Sequence, residues 1–349
     1  MAQFESHQRC LFRWLETDLL SNRVSVFEKF ARGVPSYRPD DVKLIRRCAD
    51  EPFVLSLVPE EPTWDVPHRL LSAVQYLILS GEAPDYRESA DQWATFIDIL
   101  HAHRQWVADF IHHQGIQTNE TQRCFALLPL FLTVARATGK PLDLLELGTS
   151  AGLNLLWDRY RYQYREGPWG STDAVLELTG EEECPVPGGL LKQEIAVGRR
   201  RGIDLQPVDV TTELGFRLLA SFLGSDSVRL ERLRRAAVIA SHHPLELIQG
   251  NYLEMLPVLL RDRSDSAVTV VFQTLSTIYL PIEERLGLRA VVERAGADGP
   301  LAWISTPTPE EHGERRGNYP IEIAIWPTMP EARIAARMSN SGDWLEWIG

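Results

Sequence analysis

The chain has 349 residues, more than one hydrophobic core usually supports, so one large domain with an extension, or two domains, is the starting expectation. With 44% hydrophobic and 24% charged residues it has the makeup of an ordinary globular protein. Its formal net charge of -12 argues against nucleic acid or an anionic membrane as a partner, because phosphate-rich surfaces favour a basic footprint. Arg199–Arg201 is the best short basic run, and a run of that length reads more readily as a solvated loop.

Cys10, Cys48, Cys124 and Cys184 are scattered, with no C-x-x-C pair, so neither a zinc site nor a disulfide framework is indicated and reduced cytosolic thiols are the plain reading. The opening stretch MAQFESHQRC has no basic region leading into an apolar core, and no uninterrupted apolar stretch is long enough to span a bilayer. A cytoplasmic protein is expected.

Residues 1–116 read as a helical layer of four or five segments, and residues 117–349 as an α/β domain. Residues 11–30 carry a helical pattern, SLVPEEPTWDVP is a proline-broken loop, and PHRLLSAVQYLILSG predicts a helix stopped by a left-handed cap at Gly81. Trp93, Phe96, Ile97, Leu100, Val107, Phe110 and Ile111 recur at helical spacing through residues 92–113. From Leu142, short β-branched runs alternate with helical ones, which implies βαβ units around a parallel sheet. The predicted strands are 142–148, 202–205, 245–250, 268–274, 301–306, 321–327 and 332–338; the predicted helices between them are 152–160, 212–238, 252–261 and 282–295. The last two strands have no helix-length spacer, so one of them should run antiparallel. Residues 161–197 interrupt the alternation as an inserted hairpin or loop around AVLEL.

The stretch LLELGTSAGLNL carries the most chemistry. A strand ends in an acid, Glu146, and a turn with Gly148 and Gly152 leads into a helical segment whose first N–H groups face whatever lies above the strand. A dinucleotide fingerprint would require G-x-G-x-x-G; here the pattern is E-x-G-x-S-x-G, with Ser150 in the middle position. It resembles motif I of the class I S-adenosylmethionine-dependent methyltransferases. A tight structural turn explains the glycines equally well.

Further segments extend the resemblance. In RGIDLQPVDV, Asp204 ends a strand as the ribose-binding acid does in those enzymes, with Glu177 and Glu181 as rivals for that role. In ELIQGNYLEML, Asn251 would read an adenine amino group or cap the helix that follows. VTVVFQTLSTIYLP ends where such enzymes carry substrate-facing groups, offering Gln273, Thr274, Thr277 and Tyr279, without the N-P-P-Y motif of amino-N methylation. In QTNETQRC, Asn119 and Gln122 fit a capping arrangement, and Glu120 with Arg123 fits a buried ion pair. Those segments, with SAGLNLLWDRY as the most specific block, also resemble a bacterial family known only as domain of unknown function 2332.

The resemblance implies a Rossmann-like methyltransferase sheet, mostly parallel with one antiparallel strand near the C-terminus, behind an N-terminal helical cap. It implies S-adenosylmethionine as cofactor, held by Glu146, Gly148, Ser150, Gly152, Asn154, Asp204, Asn251 and Gln273. Asn119, Arg123 and Thr274 would face a small-molecule acceptor, and Glu120 or Tyr279 would serve as base where the acceptor loses a proton. His112-His113 and His242-His243 lack metal-ligand spacing, and no G-x-S-x-G elbow supports a hydrolase. The competing readings are a binding or regulatory protein that keeps the fold and, disfavoured by the missing third glycine, a nicotinamide-dependent oxidoreductase.

Overall fold

The computed structural model describes residues 39–307 and 318–349, together with Val26, Phe27 and Phe30. The helical pattern expected over 11–30 lies almost wholly outside the described residues. The chain divides into two compact units, one made of the described residues up to Thr118 with Thr212–Leu230, the other of Asn119–Thr211 with Glu231–Gly349.

The first unit contains helices α1 (Pro39–Cys48), α2 (Pro52–Leu57), α3 (Val66–Ser80), α4 (Gln92–Ala102) and α5 (Arg104–His113). Gly81 ends α3 in the left-handed conformation at φ 78°, donating its N–H back to the last turn, as its position in the sequence predicts. The continuous helical pattern over 92–113 is two helices, because His103 (φ -114°, ψ 27°) leaves helical geometry and serves both as the end of α4 and the start of α5. The core of this unit joins Phe27, Leu70, Val74, Phe96, Leu100, Val107 and Ile111 to Phe222, which comes from far along the chain.

The second unit begins with α6 (Cys124–Thr138), followed by β1 (Leu142–Leu147), β2 (Arg161–Tyr164), β3 (Gly167–Trp169), β4 (Glu177–Thr179), β5 (Glu181–Cys184) and β6 (Val197–Asp204). Helix α7 (Glu213–Leu223) belongs to the first unit, and α8 (Ser227–His242) spans the change from one unit to the other. The remaining elements are β7 (Glu246–Gln249), α9 (Tyr252–Leu259), β8 (Val268–Gln273), α10 (Ile282–Ala297), β9 (Leu301–Ser305), β10 (Tyr319–Trp326), β11 (Met329–Met338) and β12 (Trp344–Trp347). The single helix predicted over 212–238 is therefore α7 and α8, separated at Gly224, whose φ of 64° no helix continues through.

A nine-stranded mixed sheet runs in the order β5-β12-β11-β10-β9-β8-β1-β6-β7. Strands β9, β8, β1, β6 and β7 are mutually parallel. LDLLEL, VTVVFQ and LAWIS are buried at every position, as expected of strands covered on both faces. On one face Leu145, Leu147, Ile203 and Val271 pack against Leu256 of α9 and Leu288 and Val292 of α10. On the other lies α6, where Phe131 stacks on Trp157 with ring centroids 4.5 Å apart and meets Phe272 edge-on at 5.2 Å.

The expectation of one antiparallel strand is corrected. β10 pairs antiparallel with both β9 and β11, and β11 pairs antiparallel with β12. The connections Pro327-Thr328 and Ser339–Asp343 are too short for a crossover, so each strand must return beside the last. The terminal WLEW is itself a strand, β12, and EEEC of the inserted segment adds as β5 at the sheet edge. The rest of the insertion forms a separate sheet in the order β3-β2-β4. Tyr160, Tyr162 and Tyr164, two residues apart in YRYQY, donate their hydroxyls to the carbonyls of Leu153, Trp157 and Phe125. The strand period thus turns three aromatic hydroxyls onto the layer below.

Gly342, in the turn between β11 and β12, has φ 83°, and a Cβ there would lie 2.7 Å from the backbone of Arg123. Gly342→Ala combines a left-handed alanine with a backbone collision. It is expected to cost about 2 kcal/mol or more in urea unfolding, whereas Gly139→Ala, also left-handed but with nothing near, should cost about half as much.

Candidate functional site

The chain leaves β1 on one side, through β6 and β7, and returns on the other, through β8 and β9, so strand order reverses between β1 and β8. In open α/β sheets, ligands bind beyond the carboxyl ends of the strands at such a reversal. Glu146, Gly148, Ser150, Gly152, Asp204 and Gln273 lie at or just beyond the ends of β1, β6 and β8.

The turn after β1 is closely held. Gly148 (φ 70°) and Thr149 both donate their N–H to the Ile203 carbonyl, at 2.8 and 3.1 Å. Ser150 stands at φ 53°, left-handed despite its side chain, with its N–H 2.8 Å from an Asp204 carboxylate oxygen. The other oxygen of Asp204 accepts the Gln206 N–H at 2.9 Å, and its backbone carbonyl accepts that of Gly250. Gly152 (φ 73°) donates to the Thr149 carbonyl at 2.8 Å, and Leu153 to Asn119 Oδ1 at 2.9 Å. The expected helix over 152–160 is a 3-10 segment, Leu153–Arg159, buried over Leu153–Trp157, and the N–H groups of Gly148, Thr149, Ser150, Gly152 and Leu153 are taken up by protein acceptors.

Behind the turn lies Glu146, 1% exposed. Thr149 donates to one carboxyl oxygen at 2.6 Å and Asn154 Nδ2 to the other at 3.1 Å, while the Cys124 thiol donates to Asn154 Oδ1 at 3.3 Å. Burial pushes the Glu146 carboxyl up to about 8, against the two hydrogen bonds that favour its ionised form. Burial likewise raises the Cys124 thiol well above its ordinary range, so it is no nucleophile.

Beyond β8, Gln273 is fully buried and organises the reversal. Its amide nitrogen donates to Ser305 Oγ at 2.7 Å and to the Thr306 carbonyl at 3.1 Å, and its oxygen accepts the Ser276 N–H at 3.0 Å. Leu275 is left-handed at φ 62°. Ser276 donates its hydroxyl to the Leu147 carbonyl and faces Gly148 so closely that a Cβ on that glycine would lie 2.3 Å from its own. The only two described non-glycine residues with positive φ, Ser150 and Leu275, thus flank the reversal from adjacent strands. Backbone strain of this kind, about 1–3 kcal/mol per residue, persists only where the surroundings impose it.

The flanking candidates separate. Asn251 accepts the Leu253 N–H at 2.9 Å and caps α9. Asn119 and Gln122 do not form the expected capping arrangement: Asn119 serves Leu153, and Gln122 donates to the Thr179 and Gly342 carbonyls. Glu120 is bridged at 3.0 Å to Arg232 of α8. Arg123 donates to the Asn340 carbonyl at 2.8 Å and to that of Thr274 at 3.4 Å, joining the C-terminal turn to the segment after β8. Tyr279 is half-buried in the short 3-10 turn Thr277–Tyr279. Of the rivals to Asp204, Glu177 pairs with Arg161 in the small sheet and Glu181 lies on β5, at the sheet edge opposite β7. Arg199–Arg201 lies in β6 with each arginine ion-paired, so the solvated-loop reading is also corrected.

Thr149, Ser276, Arg232 and Asn340 complete the site without having stood out in the sequence. Thr149 and Ser276 are adjacent to predicted residues, but Arg232 and Asn340 meet their partners across more than a hundred positions, and no local pattern announces them. Among the described residues no three His, Cys, Asp or Glu side chains gather as a metal would need, and no helix is long and apolar enough to cross a membrane.

The raised Glu146 value fixes a pH dependence. Between its ordinary 4.5 and about 8, the folded chain holds a proton that the unfolded chain has lost, so stability from this group falls as pH rises through that window. Glu146→Gln mimics the neutral acid: its oxygen can accept from Asn154 Nδ2, and its amide nitrogen donates to Thr149 Oγ1, reversing that bond. Thermal melts at pH 5.5 and 8.5 should show the wild type losing stability between them, and the variant melting higher than wild type at 8.5. A second test concerns the Gly148–Ser276 contact. Gly148→Ala should cost about 2 kcal/mol or more, and Ser276→Gly in the same chain should restore the steric share but not the dihedral share, a coupling of about 0.5–3 kcal/mol in a double-mutant cycle.

No curated protein and no solved structure matches the chain. A family model does match residues 26–347, which is nearly all of it. With that coverage, the chain belongs to the family described as an uncharacterized protein conserved in bacteria, domain of unknown function 2332.

Proposed function

We propose that the protein is an S-adenosylmethionine-dependent methyltransferase acting on a small molecule. The observation that carries this reading is the chemistry of the switch-point turn: the N–H groups of Gly148, Thr149, Ser150, Gly152 and Leu153 are engaged by the protein, while two carboxyl groups, Glu146 and Asp204, stand at the ends of neighbouring strands. A dinucleotide needs free N–H groups for its pyrophosphate. A nucleoside sulfonium carries no phosphate, and its positive charge suits the Asp204 carboxylate.

Asp204, whose carboxylate oxygens accept the Ser150 and Gln206 N–H groups, would take the ribose hydroxyls in this reading. Glu146, through Thr149, keeps the strained turn in register beneath the ligand. The cofactor, when bound, supplies an electrophilic methyl group to a nucleophile in line with the sulfur. The chain's contribution is then orientation and exclusion of water, which in such displacements accounts for much of the rate. Thr274, Arg123 and Asn119 border the site on the acceptor side, and Tyr279 or Glu120 would take a proton from an acceptor that must lose one.

The same engaged N–H groups favour a second reading, a binding protein that keeps the fold without transfer. Incubation with S-adenosylmethionine and a metabolite mixture discriminates them: transfer leaves S-adenosylhomocysteine, and pure binding returns the ligand unchanged. Thermal unfolding tests the site itself. At one hundred times its dissociation constant, S-adenosylmethionine or S-adenosylhomocysteine should stabilise the wild type by about 2.7 kcal/mol. Asp204→Asn, which keeps an acceptor for the turn, should weaken binding about tenfold or more. Absence of a shift with either ligand would sink the assignment, and a shift with NAD alone would replace it.

A further inference from the structure

At the opposite end of the same strands, the loops before β1, β6 and β8 surround an open cleft of about 510 Å³, walled by Asp143, Gly198, Arg199, Asp262, Arg263 and Ser266. That volume is within the range of small-molecule sites. In its wall Asp143 is buried and Arg199 is 37% exposed, while Arg201 lies outside the lining and meets it through Asp262. Arg199 binds Asp143 at 3.1 Å and Asp262 at 2.9 Å. Arg201, only 4% exposed, has a single long ion pair, 3.4 Å to the same Asp262, and its buried Nε finds no acceptor in the protein. Asp262 is itself 73% exposed. Thr269, aligned with Asp143 in the β1–β8 register, also buries a hydroxyl without a partner.

A buried guanidinium is costly unless its donors are matched, and it prefers the forked geometry of a phosphate or carboxylate. Here Arg199 and Arg201 share one solvent-exposed carboxylate, which is the arrangement of a counterion that a better oxyanion can displace. Gly198 makes room for the arrangement: a Cβ at that position would lie 2.4 Å from the Asp143 carboxylate, which accepts the Arg199 N–H at 2.9 Å. Hydroxyls from Ser264 and Ser266, 2.8 Å apart, add neutral donors on the rim.

We propose that this cleft binds the oxyanion of a small ligand, with Arg199 and Arg201 as donors and Asp262 as the displaced counterion. The site is independent of the carboxyl-end turn, since its groups stand at the amino ends of the strands. A phosphate ester and a dicarboxylate offer the same chemistry, and the probes separate them.

Isothermal titration of the full chain with pyrophosphate and with succinate, each against sodium chloride of equal ionic strength, tests the assignment. Asp262→Asn removes the competing charge without touching the arginines and should tighten binding several-fold, while Arg199→Gln should weaken it about tenfold. Arg201 is left unchanged, because a substitution there would threaten the fold. Binding of pyrophosphate alone identifies a phosphorylated ligand, and binding of succinate assigns a carboxylate. No binding of either to wild type or Asp262→Asn overturns the proposal, as does binding that neither substitution alters.

Discussion

The carboxyl end of the sheet depends on keeping one acid, Glu146, inside a protein interior. A carboxyl group at that depth is stable only with its oxygens bonded, and Thr149 and Asn154 supply the bonds from opposite ends of the turn that follows. The turn is therefore fastened to the strand it leaves. With Thr149 anchored below and the Ile203 carbonyl and Asp204 carboxylate fastening the amides at its side, Ser150 has no room for an ordinary backbone conformation. Packing then follows from the same fixation: Gly148 must lack a side chain because Ser276 is there, and Gly202 because Thr149 is, with a Cβ there meeting its side chain at 2.5 Å.

The two ends of the parallel strands divide the charge differently. At the carboxyl ends the acids are deep, and the nearest cations, Arg123 and Arg232, are committed to Asn340 and Glu120. At the amino ends the guanidinium of Arg201 and the carboxylate of Asp143 are both deep, and Arg199 and Asp262 are the more exposed partners. Between these ends the central strands are apolar, with Leu144 and Leu145 of β1 and Val270, Val271 and Phe272 of β8 all buried.

Much of this was legible from residue order. The run LDLLELG with a second glycine four residues on announced a strand and a special turn, and the hydrophobic runs at 268–274 and 301–306 announced buried parallel partners. What stayed hidden had a physical cause in each instance. The arginines of β6 read as solvated because a sequence shows charge without its partner, and Asp143, Asp158 and Asp262 are far away along the chain. The meander's extra antiparallel strand escaped because WLEW is shorter than a convincing periodic pattern. The capping arrangement at Asn119 obeyed local rules, but the Leu153 N–H offered a better-placed donor from another element.

The first unit's core is closed by Phe222, whose ring stacks with Phe110 at 6.1 Å and whose carbonyl lies 3.2 Å from a ring nitrogen of His68. Helix α7 is thus a part of that unit which synthesis delivers only after β1 and the whole inserted segment have been made. During elongation, Phe110 and its neighbours wait with one wall missing for roughly five to twenty seconds at bacterial rates of about 5–20 residues per second. The unit that comes first in the sequence therefore cannot be completed as it is made, and its folding is timed by the emergence of a helix encoded about a hundred residues downstream.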